Sequence, residues 1–330
     1  SLTINTAGET AFNGTVTGVS ALTTDTPGTN ALATDLSTTG AISLGGATTL
    51  SGAARSVTSS GSTVSFGSID GASALTVSSS GGTTFGGAVG GTTALSSLSV
   101  TGAATVNGGA VNTTGAQTYS GAVALGANTT LTSSGSGNIS LGGGSGAFSL
   151  TINTAGVTAF NGTVSGLTAI TTDSAGTNTL AGDLSASGAI ALNGATTLSG
   201  ASRGVTSSGG AVSFGSTVNG ATALTVSSST GATFTGAVGG TTALTSLLVT
   251  GPATLNGGAV TTTGAQTYSG SLALGANATL TSTGSGNISL AAVTGAFGLT
   301  VNTAGTTAFN GTVSGLTAIT TDSAGTNTLA

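Results

Sequence analysis

The 330 residues include only two basic side chains, Arg55 and Arg203, against seven acidic ones, and Lys, His, Cys, Met and Trp are absent. So few cations cannot neutralise a phosphate backbone, which argues against nucleic acid as a partner, and a chain without Cys has neither disulfides nor thiol chemistry. Without His a Ser-His-Asp hydrolytic arrangement cannot be assembled, and no apolar run reaches the roughly 20 residues of a membrane-spanning helix.

From the first residues onward the chain reads as short strands between turns. Leu2-Thr3-Ile4 alternates apolar and polar residues, as do Leu75-Thr76-Val77 and Leu224-Thr225-Val226; β-branched residues in this pattern suit a pleated surface. Asn-Thr-Ala-Gly and Ser-Ser-Ser-Gly segments bound them with turn-forming composition. Sixty Gly residues would each cost a helix about 1 kcal/mol, so helix is not the dominant element.

The segment Ser1–Gly8 returns at Ser149–Gly156 and, slightly changed, at Gly298–Gly305, with spacings of 148 and 149 residues. The organisation expected is a repeat over 1–148, a second over 149–297 and the start of a third over 298–330. A copy that stops in mid-unit at Ala330 suggests a window on a longer fibre. Within each repeat a large apolar residue followed by Asn, Ser or Gly marks a shorter period. From Phe12 the anchors are Leu32, Leu50, Phe66, Phe85, Val106, Tyr119, Ile139 and Phe160, in steps of 20, 18, 16, 19, 21, 13, 20 and 21 residues. The second copy repeats this series with one residue added where Gly67–Gly71 becomes Gly215–Gly220, marking a surface turn.

Rungs of 13–21 residues predict an all-β fold, a parallel β-helix (β-solenoid) of about 18 coils, with eight rungs per repeat. In such a coil each strand pairs with its counterparts above and below, and stacking buries what one rung cannot bury alone. The expected core is Phe12, Phe66, Phe85, Tyr119, Phe160, Phe214, Phe234, Tyr268 and Phe309. Phe12, Phe66, Phe85 and Tyr119 are expected in one stack, with Leu2, Ile4, Leu22, Leu75, Val77 and Leu95 in another.

Few residues suggest chemistry. Glu9 and Asp70 become other residues in the second copy, while Asp25, Asp173 and Asp322 recur in Thr-Thr-Asp-x-x-Gly-Thr-Asn. Asp and Asn oxygens suit calcium, making these three the weak metal candidates. The sparse spacing favours an Asp that caps its own turn. Asp35 and Asp183 also recur, and Arg55 and Arg203 are expected to pair with a nearby carboxylate or carbonyl. No catalytic residue and no cofactor is expected. Outward Thr at one phase would suit ice or glycan, but rungs of unequal length are expected to break the flat lattice.

The run Thr113–Val123 with Leu125–Thr132, the segment Gly137–Leu141, and their second copies over Thr262–Thr281 and Gly286–Leu290 resemble large repetitive exoproteins of Gram-negative bacteria, the filamentous haemagglutinin-like, β-strand-repeat adhesins. The resemblance implies a right-handed β-helical shaft that folds outside the cell, with roles in adhesion, aggregation or biofilm matrix. The expected function is therefore a non-enzymatic, extracellular structural shaft of an adhesin or filament. Its partners would be itself, through end-to-end or lateral contacts, and a host or neighbouring-cell surface. Alternatives are a Thr-rich ice- or glycan-binding solenoid, a polysaccharide-lyase-like β-helix, and a functional amyloid.

Overall fold

The computed structural model describes residues 1–322 and 324–330. They contain strands and turns and no helix, and every strand pairing is parallel. The chain winds as a right-handed β-solenoid. It falls into two compact units, Ser1–Thr163 and Val164–Ala330.

In the first unit Leu2–Ile4, Glu9–Phe12 and Val16–Val19 open three faces, and the chain returns to the first face at Leu22–Thr24. Register partners on successive turns lie 18 to 23 residues apart, as between Thr29 and Ala47 or Leu75 and Leu98. Corners absorb the differences, so the strands stay in step. The residue added in the second repeat falls in such a corner, between Phe214 and Val218 where the first repeat runs from Phe66 to Ile69. Three strands per turn among the 47 of the described residues give about 16 turns, fewer than the 18 expected.

The shortfall has a specific cause. Leu50 lies on the second face and Phe66 on the first; Val106 lies on the first and Tyr119 on the third. The 16- and 13-residue steps between them are therefore two-thirds of a turn, while the other six steps are whole turns. The repeat advances seven and one-third turns, not eight rungs. Its second copy consequently starts one face on: Phe12 pairs on the second face, whereas Phe160 pairs with Leu141 on the third. The second unit behaves alike, because Val164 heads the first strand there and its counterpart Val313 pairs with Val293 on the following face. At ~4.8 Å per turn, one repeat rises about 35 Å.

All nine expected core aromatics are buried, but they do not form one stack. Phe66 and Phe85 stack on the first face at a centroid distance of 5.9 Å and 7° between planes. Phe12 stands on the second face below Leu32, and Tyr119 stands on the third between Val100 and Leu141. Leu2, Ile4 and Leu22 share the first face; Leu75 and Val77 belong to the third, and Leu95 makes a single bridge to Thr113. Within the second unit Phe214 and Phe234 stack at 5.3 Å and 5°.

Inward hydroxyls at strand ends tie the corners down. Ser79 Oγ donates to the carbonyls of Ser62 (2.7 Å) and Gly82 (2.8 Å), and Ser228 repeats this with Gly210 (2.8 Å) and Gly231 (2.9 Å). Ser62 O, Gly82 O and Gly231 O also accept the backbone amides of Gly81, Val64 and Val212, so the hydroxyl adds a second hydrogen bond at these corner carbonyls and satisfies its own buried oxygen.

Candidate functional site

The Asp residues singled out for calcium do not converge. Asp173 Oδ1 accepts from its own turn, at Gly176 N (3.4 Å). Around Asp25, Thr24 and Asn30 of the motif are buried, Thr23 and Thr29 are exposed, and Asp25 is half-exposed. Asp322 lies in another turn, where its amide donates to Val301 O (3.2 Å). Among the described residues no three His, Cys, Asp or Glu side chains come together.

The second recurring acid forms an ion pair across adjacent turns. Asp35 Oδ1 lies 3.9 Å from Arg55 Nη1, and Asp183 Oδ1 lies 3.3 Å from Arg203 Nη1. The same oxygens accept the amides of Ser56 and Gly204, each at 2.9 Å. Asp thus closes the corner at its own strand start, and Arg lies against the Gly52 or Gly200 turn. Exposed pairs of this kind contribute at most about 1 kcal/mol.

Two polar devices escaped the sequence reading. Asp70 Oδ1 accepts from Thr92 N (2.7 Å) and Thr93 N (3.0 Å), clamping the loop that replaces a strand after Val89. In the second copy Asn219 Oδ1 does the same with Thr241 N (2.9 Å) and Thr242 N (3.2 Å). What the two copies share is an acceptor, not a charge. Asp70→Asn is accordingly expected to leave stability within about 0.5 kcal/mol, whereas Asp70→Ala should cost about 1–3 kcal/mol by removing both hydrogen bonds. Chemical denaturation of the three proteins checks this, and equal losses for Asn and Ala would contradict it.

The other device is a buried knot. Gln117 Nε2 donates to the carbonyls of Val111 (3.1 Å) and Thr132 (2.9 Å), and its Oε1 accepts from the Tyr119 hydroxyl (3.2 Å). Gln266 and Tyr268 repeat it. The repeated Gln-x-Tyr was the signal: inward positions two apart, one polar, demand mutual satisfaction. Burial pushes both phenols above their ordinary value of 10.0. A raised folded-state pKa contributes stability that is intact below pH 10 and lost as pH climbs past it, because only the unfolded chain ionises there. Stability should therefore hold to about pH 10 and then fall, with a smaller alkaline decline in the Tyr119→Phe/Tyr268→Phe double variant. Tyrosinate absorbance appearing near pH 10 in the folded chain would count against this burial.

The outer surface carries in-register files of hydroxyls. On the third face of the first unit Ser56, Thr76, Ser99, Thr118 and Ser140 align on successive turns, and Ser37, Thr58, Ser78 and Thr101 form a parallel file. Unequal turns therefore do not break the lattice as expected, since the extra residues lie in corners. In the second unit Gly204 and Leu248 interrupt the first of these files, with Leu248 37% exposed. The other file persists as Ser185, Thr206, Ser227 and Thr250. With Ser187, Ser208 and Ser229 at the adjoining corner, it borders shallow grooves of about 360 and 370 Å³. Such surfaces offer neutral hydrogen bonding and no general acid or base. No family model matches the chain, and no similar protein was found among curated sequences or solved structures.

Proposed function

We propose that this chain is a non-enzymatic structural segment, the shaft of an extracellular adhesin or filament, with the filamentous haemagglutinin-like exoproteins as the family it resembles. The observation that carries the reading is the three-faced parallel coil, whose inward ladders and corner ties repeat with the sequence. Each turn is hydrogen-bonded to the turns above and below, so a load along the axis is shared by every backbone bond between two turns. Three per cent charged residues leave little for salt to screen. Antibodies against the chain should label unpermeabilised source cells along surface fibres. Labelling confined to permeabilised cells would overturn the proposal.

A second reading, recognition of ice or a neutral glycan, is favoured by the aligned hydroxyl files. Gly204 and Leu248 weigh against it by interrupting one file in the second unit. Thermal hysteresis or glycan retention by the purified chain, lost on Thr206→Val, would establish it in place of the first.

A further inference from the structure

The chain holds seven Asn-Gly pairs, at Asn13, Asn107, Asn161, Asn193, Asn219, Asn256 and Asn310. They sit at corners, where Asn and Gly tolerate tight backbone geometry. Asn-Gly is also chemically reactive, because an unhindered Gly amide nitrogen can attack the Asn side chain. The seven differ in what holds them.

Asn161 and Asn310 donate through Nδ2 to Ser140 Oγ and Ser289 Oγ, both at 2.8 Å, and Asn193 Nδ2 donates to Thr172 O at 2.7 Å. Asn219 is held through its Oδ1 by two amides, and Gly220 N donates to Thr242 O (3.2 Å). The Asn256 side chain makes no hydrogen bond among the described residues, but Gly257 N donates to Phe234 O (3.2 Å). Asn107 is exposed, and neither its side chain nor Gly108 N makes a hydrogen bond among the described residues. Asn13 and Gly14 share both conditions. The Asn107 side chain extends over Gly126, where a Cβ would stand 1.9 Å from Oδ1. Gly108 cannot be exchanged for a less reactive residue, since its Cβ would lie 2.0 Å from Gly87 C. Close stacking of the corners thus fixes the reactive pair.

We propose that Asn107 is a site of spontaneous backbone-assisted deamidation in the folded chain. Gly108 N attacks Asn107 Cγ, the N–Cγ bond forms, and the Cγ–Nδ2 bond breaks as ammonia leaves with the amide proton. Water then opens the succinimide at either carbonyl, giving Asp or isoaspartate. No electron transfer is involved. Each event adds one negative charge at the corner, and the isoaspartyl product adds a backbone methylene to a tightly stacked turn. The coil acquires a chemical mark of age at a position set by its hydrogen bonds.

The test is incubation of the folded 330-residue chain at mildly alkaline pH, with peptide mass spectrometry at intervals and a denatured control. Amide loss is expected at Asn107 and Asn13 roughly tenfold faster than at Asn161, Asn193, Asn219 and Asn310, as holding hydrogen bonds must first break. In denaturant all seven should react comparably. Ser140→Ala should bring Asn161 towards the rate of Asn107. Equal rates at all seven sites in the folded chain, or an Asn107 as slow as Asn161, would overturn the proposal.

Discussion

Replacing Phe85 by Ala should destabilise the first unit by about 3–5 kcal/mol, the usual cost of truncating a buried aromatic. Phe85 has no exposed surface, its ring stacks on Phe66 at 5.9 Å, and Val106 covers it from the turn above. In a globular core neighbouring side chains from several directions can relax into such a cavity. Here the neighbours above and below are fixed by backbone pairing at strand spacing, so little collapse is possible. The outward neighbour Thr84, paired with Ser65 and Thr105, should tolerate Ala within about 0.5 kcal/mol. Denaturant unfolding gives the totals. Because turns contact only their neighbours, hydrogen exchange should place the Phe85→Ala loss in the turns around Phe66 and Val106. Similar effects of the two substitutions would mean that the strand faces the other way.

Gly71→Ala should be comparably severe, roughly 3–5 kcal/mol from left-handed backbone strain plus forced overpacking. Gly71 has φ +123°, and an added Cβ would stand 2.2 Å from Leu50 O and 3.0 Å from Leu50 N. These are backbone atoms of the turn below, which cannot swing aside as a side chain could. Gly71 N also donates to Thr93 O (3.2 Å), so movement there loosens the loop that Asp70 clamps. Gly204→Ala is the matched control: the nearest atoms to its Cβ are the Asp183 carboxylate, at 3.6 Å and beyond. The first repeat carries Ser56 at that position. Protease resistance and denaturant midpoint should fall for Gly71→Ala and stay unchanged for Gly204→Ala.

Much of the architecture was legible because a coil must meet its inward positions at near-regular intervals. Strand residues such as Leu75-Thr76-Val77 declared their pleat, and an extra residue between Gly215 and Gly220 declared a corner. Phase was harder to read. A Phe or Leu followed by Asn, Ser or Gly marks an inward anchor before a corner, and all three faces use the same signal. Counting Leu50 to Phe66 and Val106 to Tyr119 as whole rungs followed naturally from that equivalence, and only strand pairing separates the faces. The same equivalence lets one sequence serve as second face at Phe12 and third face at Phe160.

The polar devices were less legible for a different reason. Asp70 turning into Asn219 looked like the loss of a functional acid, whereas the retained property is an oxygen that accepts two amides. Gln117 carried no charge to draw notice, yet it satisfies the interior of its turn. Of the recurring acids, Asp173 serves its own corner by accepting from Gly176 N. In a chain this poor in charge, recurrence of a polar residue reports on hydrogen-bond closure before it reports on chemistry.

The claim that supports the rest is that thirteen residues from Val106 to Tyr119 carry the chain two faces on, not once around. Introducing cysteine pairs at outward positions tests it directly, since the chain has no cysteine of its own. Thr105→Cys with Ala124→Cys, and Thr118→Cys with Ser140→Cys, join register partners on adjacent turns. Their Cα atoms stand about 4.8 Å apart, within disulfide reach. Both pairs should cross-link readily under mild oxidation, while Thr105→Cys with Thr118→Cys should not. Efficient closure of the 105–118 pair, with failure of the other two, would contradict the three-faced coil.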